Sequence, residues 1–144
     1  MNVQYTVDLL KEIYQGSKTA MDAISILIPK ARNNDLKRVL EYQLDEYHSI
    51  ADEATMQLQG FRELPNDTDV FTKLGMWTAV KMNTITNSNS DHIAEIMING
   101  STTGIVDMTK YIHSHPGCDV YAVELANRLI AAEDKNIQYM REYL

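Results

Sequence analysis

Two pairs of residues carry most of the chemistry this sequence offers. Gln43-x-x-Glu46 lies in NDLKRVLEYQLDEYHSIADEATMQL, and Glu133-x-x-Asn136 in ELANRLIAAEDKNIQYM. Residues three apart on a helix share a face, so each pair points at one place. Each offers one carboxylate and one amide. Such donors suit a hard divalent metal, or a hydrogen-bond network that fixes the register of packed helices. If Glu46 and Glu133 meet without a cation, one of them holds its proton and shares it with the other. Tyr47, beside the first pair, adds a phenol to the same layer.

Other constellations are weaker. His92-x-x-Glu95 has ligand spacing but makes half a site, and the pair reads as exposed at a helix start. Asp45-x-x-His48 has the same spacing, yet His48 falls off the apolar stripe and is expected in solvent. The run His113-Ser-His115-Pro-Gly-Cys118 holds three soft ligands, one short of structural zinc. Cys118 near a helix start is expected to have a lowered pKa, with no base beside it in sequence. No Gly-rich phosphate loop, nucleophile elbow or Cys-x-x-Cys pattern occurs.

The elements that must position these residues are helices. Leu9, Ile13, Gly16/Ser17, Ala20, Ala23/Ile24 and Leu27 predict a first helix from Thr6 to Lys30. Pro29 either kinks its last turn or ends it early. Gly16, Ala20 and Ala23 form a small-residue strip that would let a partner helix come close. Asn33 or Asn34 caps a second helix, whose inward stripe is Leu36, Leu40, Gln43, Tyr47, Ile50/Ala51, Ala54 and Leu58, with Glu46 at its edge. Gly60 is its expected stop. After a loop, Val70–Met82 predicts a shorter helix with Trp77 among its apolar residues. Trp77, Met76 and Met82 would cover the bundle end or meet a partner. Asn83–Ser90 is read as a break.

A further helix follows from Asp91 to His113, capped by Ser90 or Asn89, and Pro116 and Gly117 punctuate the turn after it. The last helix, Val120 to Tyr143, turns Ala122, Leu125/Ala126, Leu129, Glu133, Asn136/Ile137 and Met140 inward. Two short connections thus define two hairpins joined by a long crossover. The hairpins look alike: Gly16–Ile24 (GSKTAMDAI) matches Gly100–Met108 (GSTTGIVDM), and Gln43 and Glu46 match Glu133 and Asn136. That repeat predicts Glu46 and Glu133 near each other about a pseudo-twofold axis.

This layout resembles the ferritin-like (rubrerythrin-like) four-helix-bundle superfamily over nearly the whole chain. The resemblance implies a metal pair inside the bundle, held by a Glu on each of two helices and a Glu-x-x-His on each of the others. Here those slots hold Gln43-x-x-Glu46 and Glu133-x-x-Asn136, without histidine. Small residues near Gly16/Ser17 and Gly100/Ser101 stand where the other carboxylates would be. Glu12 and Glu95 lie about a turn away. The di-metal motif is therefore degenerate.

The bulk properties agree with one domain over residues 1–144. A length of 144 residues can bury a core without disulfides. A net charge of −7 argues against a nucleic-acid or anionic-membrane partner. No apolar run approaches the ~20 residues needed to cross a bilayer. The start lacks the basic n-region of a signal peptide, and a lone cysteine suits a reducing compartment, so a cytoplasmic location is expected. The sequence therefore predicts an all-α ferritin-like bundle with an extra helix in the crossover. It would be non-catalytic, with a structural polar layer and no cofactor. It would act as a homodimer or larger homo-oligomer, or through a protein partner; surface tyrosines such as Tyr42, Tyr121 and Tyr139 offer a face for this. The alternative is an iron or manganese protein or oxidoreductase. Its metal ligands would be Glu46, Glu133, Gln43 and Asn136, with Glu12, His92 or Glu95 as lesser candidates.

Overall fold

A computed structural model describes residues 1–65 and 89–144, and among them the regular structure is all helical. The first helix, α1, spans Val3–Leu27. It starts earlier than periodicity predicts, because the Asn2 side chain accepts the Tyr5 N–H at 3.0 Å and caps it. Pro29 ends it early: the chain tightens into a 3-10 turn at Ile28–Lys30. A proline ring there clashes with the carbonyl four residues back and leaves no N–H to continue the ladder. Helix α2 spans Asn34–Gly60 and is capped by Asn33, whose side chain accepts the Leu36 N–H at 3.0 Å.

The end of α2 departs from expectation. Gly60 is ordinary helix, and the left-handed residue is Arg62, at φ 58°. Glu63 N–H bonds the Leu58 carbonyl at 3.0 Å and Arg62 N–H bonds Gln59 at 2.9 Å, the paired closure that consumes the last free carbonyls of a helix.

Helices α3 (Ser90–Ser114) and α4 (Val120–Arg141) form the second hairpin. Gly117 supplies the left-handed turn between them, at φ 82°. The expected helix Val70–Met82, its Met76, Trp77 and Met82 patch, and most of the break at Asn83–Ser90 lie outside the described residues.

The packing follows the two hairpins. α1 lies along α2 and α3 along α4; α2 then packs on α4, while α1 meets both α3 and α4. One apolar cluster draws on all four, including Leu9, Leu40, Ile93 and Leu129. Each such side chain contributes about 1.5–3 kcal/mol through burial. The start of α1 is tied to the α3–α4 turn: Asn2 N–H donates to Gly117 O at 2.7 Å. Buried Thr6 accepts the Asp119 N–H at 2.9 Å while donating to Asn2 O at 2.8 Å.

The inward stripes of α2 and α4 are as the sequence predicts. The buried residues of α2 are Leu36, Leu40, Gln43, Tyr47, Ile50, Ala51, Ala54 and Leu58. On α4 they are the expected set with Ala132 added and Ile137 only half-buried. No described helix is long and apolar enough to cross a membrane.

Candidate functional site: a polar layer at the wall of a cleft

The buried polar layer joins three helices. Tyr47 from α2, Ser101 from α3, and Glu133 and Asn136 from α4 are all withdrawn from solvent. Asn136 Nδ2 donates to the Tyr47 hydroxyl oxygen at 2.6 Å. The Tyr47 and Ser101 hydroxyls both reach the Glu133 carboxyl. Burial pushes Glu133 up to about 7, and these two hydroxyls pull the other way. Tyr47 is held well above the usual phenol range, first by burial and then by the neighbouring Glu133 charge. Gly104 makes room for this carboxyl: a Cβ there would stand 3.2 Å from Glu133 Oε1 and 3.3 Å from Cδ.

A cleft of about 400 Å³ opens beside the layer, between α1 and α3. Gly16, Ala20 and Ala23 line one side and Gly100, Gly104 and Met108 the other, with Tyr47, Leu129 and Glu133 between. The two matched segments of the internal repeat thus face one another. Their small residues leave the space that forms the cleft, and Gly16 also lets Leu129 of α4 come near, at 3.7 Å from where its Cβ would stand.

The remaining sequence candidates are dispersed. Gln43 is buried on α2 one turn before Tyr47, and neither its Nε2 nor its Oε1 finds a hydrogen-bond partner among the described residues. Glu46 is half-buried, and its charge is felt by Lys135 on α4. Lys135 itself bonds the Tyr42 hydroxyl at 3.3 Å and lies over the Tyr42 ring. Glu12 lines the cleft from α1; His92 and Glu95 are exposed on α3. His48 is exposed as expected and pairs with Asp52 at 3.1 Å. Among the described residues no three His, Cys, Asp or Glu side chains gather where they could hold a metal ion.

The turn after α3 is structural. His115 stacks on Tyr111 at 4.0 Å and meets the edge of Tyr5 at 4.8 Å. Cys118 Sγ donates to His115 O at 3.2 Å. Its thiol is pushed up by burial, against the expected lowering by a helix start. Sequence reasoning placed Ser101 opposite the layer only as a small residue, without its bond to Glu133, and missed Gly104. The signal was present: they are the second and fifth residues of the repeated Gly100–Met108 segment.

No family model matches the sequence, and no curated protein matches it. The fold is similar to a solved structure described as a DUF305 fragment from Deinococcus radiodurans, with a TM-score of 0.76 at 10% identity, over 96% of this chain and 93% of that one. At that identity the likeness establishes the all-helical, four-helix fold alone.

Proposed function

We propose that this protein is a non-catalytic, ferritin-like bundle that works by binding, and that the α1–α3 cleft is its binding site. The observation that carries this reading is an open, largely apolar cleft whose wall ends in a buried carboxyl. Small-molecule sites have this character: concave, mostly apolar, with a few polar groups that fix orientation. The layer itself suits orientation better than turnover. Glu133 is engaged by two hydroxyls, which hold the carboxyl in one place at the wall.

A ferritin-like metal pair does not fit these side chains. The layer holds one carboxylate, Glu133, while Glu46 is half-buried and its charge is felt at Lys135. Gln43 is buried without a polar partner among the described residues. A pair of metals needs several charged donors converging on it. Self-association into a homodimer or larger homo-oligomer goes with a binding role, and the exposed Tyr42, Tyr121 and Tyr139 are the apolar groups offered for it.

The test is an amide NMR titration of the full, tag-free chain with 1-hexanol as an apolar probe. Saturable shifts are expected at Gly16, Gly100 and Gly104, and Ala20→Phe should abolish them by filling the cleft. Shifts scattered over the surface, or unaffected by Ala20→Phe, would overturn the reading. Stoichiometric iron or manganese that disappears in Glu133→Gln would replace it with the metal alternative.

A further inference from the structure

We infer that the cleft selects a small organic cation, a primary amine with an apolar chain, its ammonium seated at the Glu133 carboxylate. This rests on the cleft being a binding site. The chemistry of its wall supplies the rest. Glu133 is only 6% exposed, yet it forms part of the cleft surface. Three carboxyl groups line the cleft, Glu12 from α1, Asp107 from α3 and Glu133 from α4, and the described lining residues include no Lys, Arg or His. A bound group therefore meets carboxyl groups from three helices, with the buried Glu133 among them.

The form of the ligand follows. A carboxylate offers about four acceptor positions, so the Ser101 and Tyr47 hydroxyls leave capacity for a further donor. An ammonium carries three N–H donors and a positive charge, and a charge-assisted bond in a water-poor site is stronger than a neutral one. An anionic ligand would stand beside a buried like charge. A hard divalent metal requires several oxygen ligands converging on one point, and among the described residues no three His, Cys, Asp or Glu side chains gather in that way. The rest of the wall, with Ala20, Met97 and Leu129, is apolar and suits an alkyl chain. Gly104 contributes by leaving the carboxyl its place at the wall.

Binding should also move protons. Burial holds Glu133 up to about 7, so part of its carboxyl population keeps its proton at neutral pH. The ammonium takes the ionised form, so each binding event expels a fraction of a proton. The ionisable groups facing it are Glu12 of α1, Tyr47 of α2 and Asp107 of α3; Tyr47 is held neutral at this pH.

The experiment is calorimetric titration of the full chain at pH 7 with hexylammonium, 1-hexanol and hexanoate. Hexylammonium should bind at least about tenfold tighter than hexanol, as expected for one bond to a charged group, and hexanoate weakest. In Glu133→Gln the ammonium and alcohol should converge to within about threefold, chiefly through lost ammonium affinity. The natural chain should release protons on binding hexylammonium, seen as a buffer-dependent enthalpy, and the variant should not. A pH series on the natural chain gives the same answer without a substitution: the ammonium preference should fall steadily from pH 7 to pH 5. Equal affinity for ammonium and alcohol, or a preference that survives Glu133→Gln, overturns the inference and leaves the cleft reading standing. If neither probe binds, both fall.

Discussion

Asn136 Nδ2 and Tyr47 Oη lie 2.6 Å apart in a buried bond that spans 89 residues of sequence and joins α4 to α2. Its direction matters. Because the amide donates to the phenol oxygen, the phenol proton is turned toward Glu133, and the chain runs Asn136 to Tyr47 to Glu133. Ser101 approaches the same carboxyl from α3. Removing the phenol takes from the buried Asn136 amide its bond to Tyr47, at about 1–3 kcal/mol, while removing Asn136 takes one bond from a hydroxyl that keeps Glu133 and Ser101. A double-mutant cycle with Tyr47→Phe and Asn136→Ala should therefore show a coupling of about 1–2 kcal/mol in denaturant unfolding. Additive effects would mean that the two side chains do not bond in solution.

Glu133 should make the protein less stable as pH rises through neutrality. Its folded pKa, about 7, is above the usual carboxyl value of 4.5, so the folded state binds more protons than the unfolded state between those values. The favourable contribution is fully present below about 4.5 and is lost as pH rises through about 7. The loss amounts to about 3 kcal/mol. The measurement is the unfolding free energy of the natural chain minus that of Glu133→Gln, from pH 4 to pH 8. The difference should fall across that window and level above it. Tyr47→Phe should raise the Glu133 pKa further, because the lost hydroxyl favours the ionised form. A flat difference would show Glu133 to be solvated.

The part of this arrangement legible in the sequence was the part set by helical period. The α2 stripe is legible because Leu36, Leu40, Gln43 and Tyr47 recur at turns of one helix, whatever the partner. Whether Glu46 joins it is a different question. One residue of offset turns a side chain by about 100°, and only the docking of α4 decides which edge of the stripe faces the core. Glu46 ends half-buried at the stripe's edge for that reason. The cleft was illegible for another. Gly16, Ala20, Gly100 and Gly104 announce small volume, but small side chains permit either close helix contact or a gap. The separation of α1 from α3 is set by how each hairpin packs on α2 and α4. The helix end at Arg62 was hidden by Gly60, a more obvious stop two residues earlier.

Arg62 is a place where the chain can be improved. At φ 58° its Cβ crowds the backbone, which costs a non-glycine residue about 1–2 kcal/mol. Glycine adopts that conformation freely, though it gives the unfolded chain more freedom to lose. Arg62→Gly is expected to raise stability by about 0.5–1 kcal/mol, read as a higher denaturant midpoint with an unchanged slope. Gly60→Ala should do the same by a separate route. Gly60 is inside the helix, nothing among the described residues lies within 4 Å of an added Cβ, and alanine is the better helix former by about 1 kcal/mol. A loss of stability in Arg62→Gly would show that the paired closure after Leu58 does not form.

Gln43 poses the sharpest energetic question. It is buried on α2 one turn from Tyr47, and both its amide atoms lack a hydrogen-bond partner among the described residues. Taking an amide out of water without replacing its bonds costs about 1–3 kcal/mol. Methionine has nearly the same length and shape, needs no hydrogen bond, and fills irregular space well. Gln43→Met is therefore expected to stabilise the fold by about 1–2 kcal/mol in urea unfolding, while Gln43→Ala should destabilise it because the truncation opens a cavity. The opposite signs of the two variants separate a polar penalty from a packing loss. If Gln43→Met is destabilising as well, the amide has a polar partner in solution, and its place in the slot matched to Glu133 would then be functional.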